Sequence, residues 1–239
     1  MQRVPAAPSL AARTWAWGGA LLFVASLSYF LYSYAITFAE TAPPEAEAGR
    51  AALADVFLFT VFALHHSVFA RERIRTQVAR LVPPGLERSF YVWVASALFI
   101  GVCALWQPVP GIAWSLGGPL RWACVVVQAA AIWLILRSAA TIDPLDLAGV
   151  RQLSPASGET TFKTSGPYGW VRHPIYAGWF LLVFCVPLMT MTRLVFAIVS
   201  SAYVVMAIPF EERSLLATAG DAYRRYLTQV RWRLVPGLY

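Results

Sequence analysis

Charge is what this 239-residue chain has least of. Only 13% of its residues are Asp, Glu, Lys or Arg, about half the share of an ordinary soluble domain. That scarcity, beside 59% hydrophobic residues, argues against a soluble globular class. Histidine is nearly absent: His65, His66 and His173 are all there is. A zinc site needs three or four ligands, so no metal centre is expected. The three cysteines, Cys103, Cys124 and Cys185, lie inside apolar runs and read as small core residues, with no disulfide framework. A Rossmann glycine fingerprint is missing, as are internal repeats and low-complexity segments. The short alternating segments of a membrane β-barrel are missing as well.

What is present is a series of apolar runs long enough to cross a bilayer. The expected fold class is all-α, a polytopic membrane helical bundle of about six membrane helices with a cytoplasmic C-terminal amphipathic helix. The spans read as Trp15 to Phe38, Ala51 to Ala70, Ser89 to Trp106, Leu120 to Ala140, and two shorter ones, Ile175 to Thr190 and Leu194 to Phe210. Pro187 and the Met189-Thr190-Met191-Thr192-Arg193 stretch are expected to form the bend between the last two. Glu211 to Val230 has the composition of a surface helix. No cleavable leader is expected in the first run. The whole chain, 1–239, is expected to be one integral-membrane domain, with N-terminal helices in 1–140 and a ligand-binding half in 141–239.

The formal net charge is +7, and its placement is informative. Under six spans, sixteen of the nineteen Lys and Arg residues fall on one side, which places both termini in the cytoplasm and suits a bacterial inner membrane. That asymmetry accounts for the basic balance without nucleic acid as a partner.

Two polar patches break the apolar pattern on that same side. The first is Gly166-Pro-Tyr-Gly-Trp-Val-Arg-His-Pro-Ile-Tyr-Ala-Gly178. Pro174 suits the first turn of a helix, so Arg172 and His173 sit at its N-terminus. Arg172 on lipid phosphate and His173 as a cap would be the plain alternative. The flanking Gly166, Tyr168, Tyr176 and Gly178 favour a ligand site, because glycine lets backbone approach a ligand closely. The second patch is Glu211-Glu212. If the helix continues through this pair, at least one carboxylate points inward, where ionisable groups are expensive and usually functional. His65-His66 lies near the end of the second span, either as a satisfied helix-end pair or as a base. Asp143 and Asp146 read equally as loop caps or as lining of a site mouth. Asp55 reads as interfacial.

Gly166-Pro-Tyr, Val-Arg-His-Pro-Ile-Tyr-Ala-Gly178, Glu211-Glu212 with Leu215, and Tyr223 with Tyr226 together resemble the C-terminal half of the isoprenylcysteine carboxyl methyltransferase-like superfamily, over roughly the last third of the chain. Phe62-Ala-Leu-His-His-Ser-Val-Phe-Ala-Arg71, Leu86 to Trp93 and Thr141 to Gln152 look like the methanethiol S-methyltransferases and their NnrU-like relatives. His65, where Gln is expected, and Pro144 depart from that pattern.

The resemblance implies S-adenosylmethionine as cofactor and a small or lipophilic thiol such as methanethiol as acceptor. It also implies residue roles. Gly166, Tyr168, Arg172, His173, Pro174 and Tyr176 would hold the donor. Glu211 and Glu212 would take its ribose or ammonium, and Tyr223 and Tyr226 would cover it. Apart from the resemblance, a thiol titrates near about 8.5, so a cationic setting supplies thiolate, and Arg172, Arg151 and the His65-His66 pair are the residues expected to provide it. Three alternatives stand beside this reading: an isoprenylcysteine-type carboxyl or lipid methyltransferase, an NADPH-dependent sterol-reductase-like enzyme, and an NnrU-like accessory or transport protein.

Overall fold

The computed structural model describes residues 9–43, 47–69, 77, 80–83, 85–153 and 164–239. The basic stretch holding Arg71, Arg73 and Arg75, and the part of the long polar connection with Glu159 and Lys163, lie outside them. The long helices are α1 (Leu10–Ala35), α2 (Ala48–Phe69), α3 (Glu87–Leu105) and α4 (Gly118–Ile142). After the short α5 (Pro144–Leu147) come α6 (Pro174–Phe184) and α7 (Met191–Gln229). Single 3-10 turns occur at Thr37–Ala39, Arg151–Leu153 and Gly166–Gly169. Among the described residues, five helices are long and apolar enough to cross a membrane: α1 with its 3-10 extension, α2, α3, α4 and α7. Large apolar side chains such as Leu21, Val24, Leu53, Phe57, Trp122 and Val126 stand exposed along them, the pattern of a lipid-facing surface. The protein is an all-α polytopic membrane protein.

Two differences from the expected spans have local causes. The fifth apolar run stops as a helix at Phe184. Pro187 has no N–H to continue it. Leu188–Thr190 is instead a short strand, β2, paired antiparallel with β1 (Ile112–Ser115). At 11 residues, α6 is about 16 Å long, roughly half the hydrocarbon thickness. The expected bend at Met189 to Arg193 is instead the end of β2 and the first turn of α7, capped by Thr190, whose Oγ1 accepts from Arg193 N at 3.2 Å. A separate surface helix from Glu211 is not formed either. Helix α7 runs on through Pro209, Glu211 and Glu212 and breaks only at Gly220, whose φ of 50° is left-handed.

The chain divides into two compact units. One contains Met1–Ser33, Thr60–Trp106 and Asp143–Thr160. Here Ala16 and Ala20 of α1 bury against Ala148 and Val150, with Phe23 and Leu153 alongside. Gly18 and Gly19 let the Trp93 ring lie on α1; a Cβ on Gly18 would stand 2.8 Å from that ring. Trp93 Nε1 donates to Trp15 O at 3.0 Å.

The other unit contains Tyr34–Phe59, Gln107–Ile142 and Thr161–Tyr239. Its core centres on Phe196, whose ring meets Tyr34, Phe38, Phe59 and Trp179. Arg193 is buried in this unit and donates to Tyr34 O and Ala35 O, both at 2.8 Å, and to Leu188 O. A guanidinium is thus spent on the open carbonyls at the C-terminus of α1. Asp55 is fully buried, and its Oδ1 accepts from Gln107 N at 2.7 Å.

Helices α4 and α6 pack at Gly178, the last residue of the glycine-bracketed stretch. A Cβ there would lie 2.6 Å from Ile135 Cγ1 and 3.0 Å from the Ala131 carbonyl oxygen. Gly178→Ala therefore pushes α6 off α4. Overpacking costs about 1–3 kcal/mol, more than the ~1 kcal/mol that alanine returns in helix propensity. The expected result is a lower unfolding midpoint in detergent. An unchanged midpoint would show that this contact does not set the helix spacing.

Candidate active site

The site is built within the second unit, from the Gly166–Arg172 approach, the first turn of α6, the middle of α7 and residues 230–239. Gly166 has φ 63°, a left-handed conformation that starts the 3-10 turn. Pro167 follows, and its carbonyl accepts from Trp170 N at 3.1 Å. Tyr168 is anchored through its backbone, where its carbonyl accepts from Tyr226 Oη at 2.8 Å. The chain then pairs with the C-terminal segment: Arg172 N donates to Trp232 O and His173 N to Arg233 O, both at 2.9 Å. Pro174 occupies the first helical position of α6, so the side chains of Arg172 and His173 are held just before its start.

These elements meet α7 at Glu212. Its side chain is only 10% exposed, and both oxygens are engaged. Oε1 lies 3.1 Å from Arg172 Nε and 3.4 Å from His173 Nε2. Oε2 accepts from Arg233 Nε at 3.2 Å and Arg233 Nη2 at 3.0 Å. Arg233 Nη1 in turn donates to Tyr239 Oη at 3.0 Å, and the guanidinium carbon sits 5.2 Å from that ring's centre. Glu211, one residue earlier, is different. Its side chain is 44% exposed. Its Oε2 accepts from Tyr176 Oη at 2.9 Å and lies 3.7 Å from His173 Nδ1. The Tyr176 and His173 rings stack, 5.4 Å apart and 7° from parallel.

The structure thus brings Arg172, His173, Tyr176, Glu211 and Glu212 together through contacts 35 to 40 residues apart in sequence. One part of the sequence argument changes. The Glu pair is not at a helix C-terminus, so no unfavourable macrodipole bears on it; it lies mid-helix, and Glu212 is the inward carboxylate. Tyr223 and Tyr226 are 1% and 2% exposed and pack on each other with Leu215, Leu216, Leu227 and Val230. They form the apolar floor beside the ion cluster.

The remaining sequence candidates belong to the first unit. His66 Nδ1 lies 2.6 Å from Tyr91 Oη. His65 stacks on Tyr91 at 5.8 Å and on Phe69 at 4.4 Å. Neither of its ring nitrogens has a hydrogen-bond partner among the described residues. Arg151 Nε pairs with Asp143 Oδ2 at 3.5 Å. Asp143 caps α5 by accepting from Leu145 N, and Asp146 accepts from Gln152 Nε2 at 2.7 Å. Both acids are thus spent on the loop itself.

Electrostatics separate the groups. Burial pulls the His173 imidazole below its usual range, while Glu211 and Glu212 pull the other way. Burial, with Glu211 beside it, pushes the Tyr168 phenol up, so it stays neutral. The hydrogen bonds to Glu212 hold the Arg233 guanidinium still more firmly charged.

One donor in this cluster is left over. Arg172 is 13% exposed, and its Nε contacts Glu212 at 3.1 Å without aligning its N–H on any acceptor among the described residues. A half-buried cation with an unsatisfied N–H, beside a half-exposed carboxylate and a phenol, fits a zwitterionic ligand carrying hydroxyls.

The isoprenylcysteine carboxyl methyltransferase family model matches residues 151–217, which take in most of this cluster. Methanethiol S-methyltransferase of Mycobacterium tuberculosis is 37% identical over 191 residues, 76% of this chain and 77% of that protein. The protein of the same name from Crocosphaera subtropica is 38% identical over 186 residues, 75% of this chain and 73% of its own. Methanethiol S-methyltransferase 2 of Bradyrhizobium diazoefficiens is 34% identical over 197 residues, 80% and 75% of the two chains. No solved structure matches. The chain belongs to the isoprenylcysteine carboxyl methyltransferase family and is an integral-membrane methyltransferase.

Arg233 is the site residue that sequence reasoning missed. It counts there only as one more charge on the basic side, and no local motif marks it. The need for a second cation follows from the burial of Glu212, which packing decides.

The His173 shift carries a pH consequence. An unfolded chain protonates this histidine at about pH 6.5, above the folded value. Below that point the unfolded state binds the proton first, so stability falls as pH drops towards the folded value and is intact above it. His173→Gln removes this dependence. Melting curves from pH 7.5 down to 5 are expected to fall less steeply for the variant. Parallel curves would show that His173 does not titrate between the two states.

Proposed function

We propose that this protein transfers a methyl group from S-adenosylmethionine to a small thiol, methanethiol being the acceptor named for its relatives. The product would be dimethyl sulfide. The observation that carries the reading is the Arg172–Glu212–Arg233 cluster, with Glu211 and Tyr176 at its edge; all of these but Arg233 lie inside the stretch the family model matches. Arg172, with its unspent N–H, suits the carboxylate of the methionine part. Glu211 suits the ribose hydroxyls or the ammonium, with Tyr176 Oη steadying its Oε2. Gly166, Tyr168 and Pro174 shape the approach. The neighbouring aromatic faces favour a sulfonium by about 0.5–2 kcal/mol.

The donor, when bound, supplies an already activated methyl. The acceptor sulfur forms the new S–C bond as the donor's S–C bond breaks, and the thiol proton leaves to solvent or base. The protein's tasks are alignment, exclusion of water and delivery of a thiolate. A free thiol titrates near about 8.5, so a cationic setting raises the thiolate fraction. Arg172 is assigned to that setting on its sequence pattern. The basic side of the chain is assigned to the cytoplasm of a bacterial inner membrane, with both termini there.

Membranes given methyl-labelled donor and a panel of thiols, prenylcysteines and phospholipids test the reading. Labelled dimethyl sulfide is the expected product. A labelled prenylcysteine ester or phospholipid would move the acceptor to the carboxyl or lipid class, and binding of NADPH without donor binding would remove methyl transfer. Glu211→Gln loses a charge-assisted hydrogen bond worth about 1.5–3 kcal/mol, so the donor KM is expected to rise about 10- to 100-fold. An unchanged donor KM would take Glu211 out of the donor site.

A further inference from the structure

Resting on the donor reading above, we infer that Arg233 is a positioning residue for the donor's carboxylate. Its action runs through Glu212. That carboxylate has two oxygens and three cationic or polar neighbours. Arg233 claims Oε2 with two N–H groups, at 3.2 and 3.0 Å. Arg172 is left with Oε1, which it shares with His173. This competition is why the Arg172 Nε–H approaches Glu212 at 3.1 Å yet stays unaligned. Without Arg233, Glu212 would be a 10%-exposed anion facing one arginine and a neutral histidine. Arg172 would then turn to make the bidentate pair that guanidinium and carboxylate prefer, and its N–H groups would no longer serve a ligand.

The backbone supports the same role. The carbonyls of Trp232 and Arg233 accept from the amides of Arg172 and His173. The donor-side turn and the residue that frees its arginine are therefore registered by adjacent hydrogen bonds. Tyr239 fixes the far end of the Arg233 fork by Oη and by its ring face. Arg233 thus splits the charge of Glu212 so that Arg172 keeps a surplus positive face for an anionic group.

The test compares S-adenosylmethionine with its decarboxylated analogue on the full-length protein in detergent or nanodiscs. Binding of each labelled donor is measured for wild type, Arg233→Met and Arg233→Lys, with unfolding midpoints recorded alongside. Wild type is expected to bind the carboxylated donor more tightly. Arg233→Met is expected to weaken that donor at least about tenfold, the loss of one charge-assisted hydrogen bond, and to leave the decarboxylated analogue within about twofold. Arg233→Lys, a point charge in place of a fork, is expected to recover part of the loss. Equal weakening of both donors, or weakening of neither, overturns the inference while leaving the donor reading standing. If wild type binds neither donor, the donor reading fails and the inference fails with it.

Discussion

A carboxylate at 10% side-chain exposure needs partners to stay charged, and Glu212 has them on two elements. Arg172 and His173 come from the turn before α6, and Arg233 from the segment after α7. Removing one partner of such a buried cluster typically costs 3–5 kcal/mol, because the remaining charge is stranded. The site's geometry therefore depends on this one carboxylate more than on any hydrophobic contact around it. It also explains why a short helix is enough for α6. That helix need not span the bilayer; it needs a proline-fixed N-terminus in register with α7 and close contact with α4, which Gly178 permits.

The continuity of α7 completes the arrangement. Pro209 sits inside the helix without ending it, and the break waits until Gly220. Beyond it, Tyr223 and Tyr226 return as a buried apolar floor, and Tyr226 reaches back to the Tyr168 carbonyl. Ion cluster, tyrosine floor and glycine approach are three consequences of one helix passing the turn before α6.

Much of this was legible in the sequence. The apolar runs placed the long helices to within a few residues, because hydrophobic length is a strong signal in a chain so poor in charge. The Arg172-His173-Pro174 turn and the Glu pair stood out because polar groups bordering apolar helices are costly. What was not legible is what tertiary pairing decides. Leu188–Thr190 reads as the end of a helix until β1 supplies a partner. Glu211 onward reads as a surface helix because its composition changes there, while the backbone does not. Arg193 counts as an outside charge, yet its guanidinium satisfies carbonyls of α1. Arg233 is invisible for the same reason: a charge tally sees sign, and only packing shows which carboxylate it meets.

The adjacent glutamates gain their meaning from helical geometry. Consecutive residues on an α-helix project about 100° apart, so two neighbouring carboxylates leave the helix in different directions. One must turn into the cluster if the other turns out. Glu212 takes the inward position and is consumed by protein cations. Glu211 takes the half-exposed one and keeps a polar edge, with Tyr176 on one oxygen. The two carboxylates therefore sit in different surroundings, one buried among cations and one at the half-exposed edge, because of the pitch of the helix that carries them. The same logic applies to Arg172 and His173 across the gap. Of the two consecutive residues before the proline, Arg172 meets Glu212 and His173 meets both acids. Burial keeps His173 neutral, so the positive charge at this turn is concentrated on Arg172.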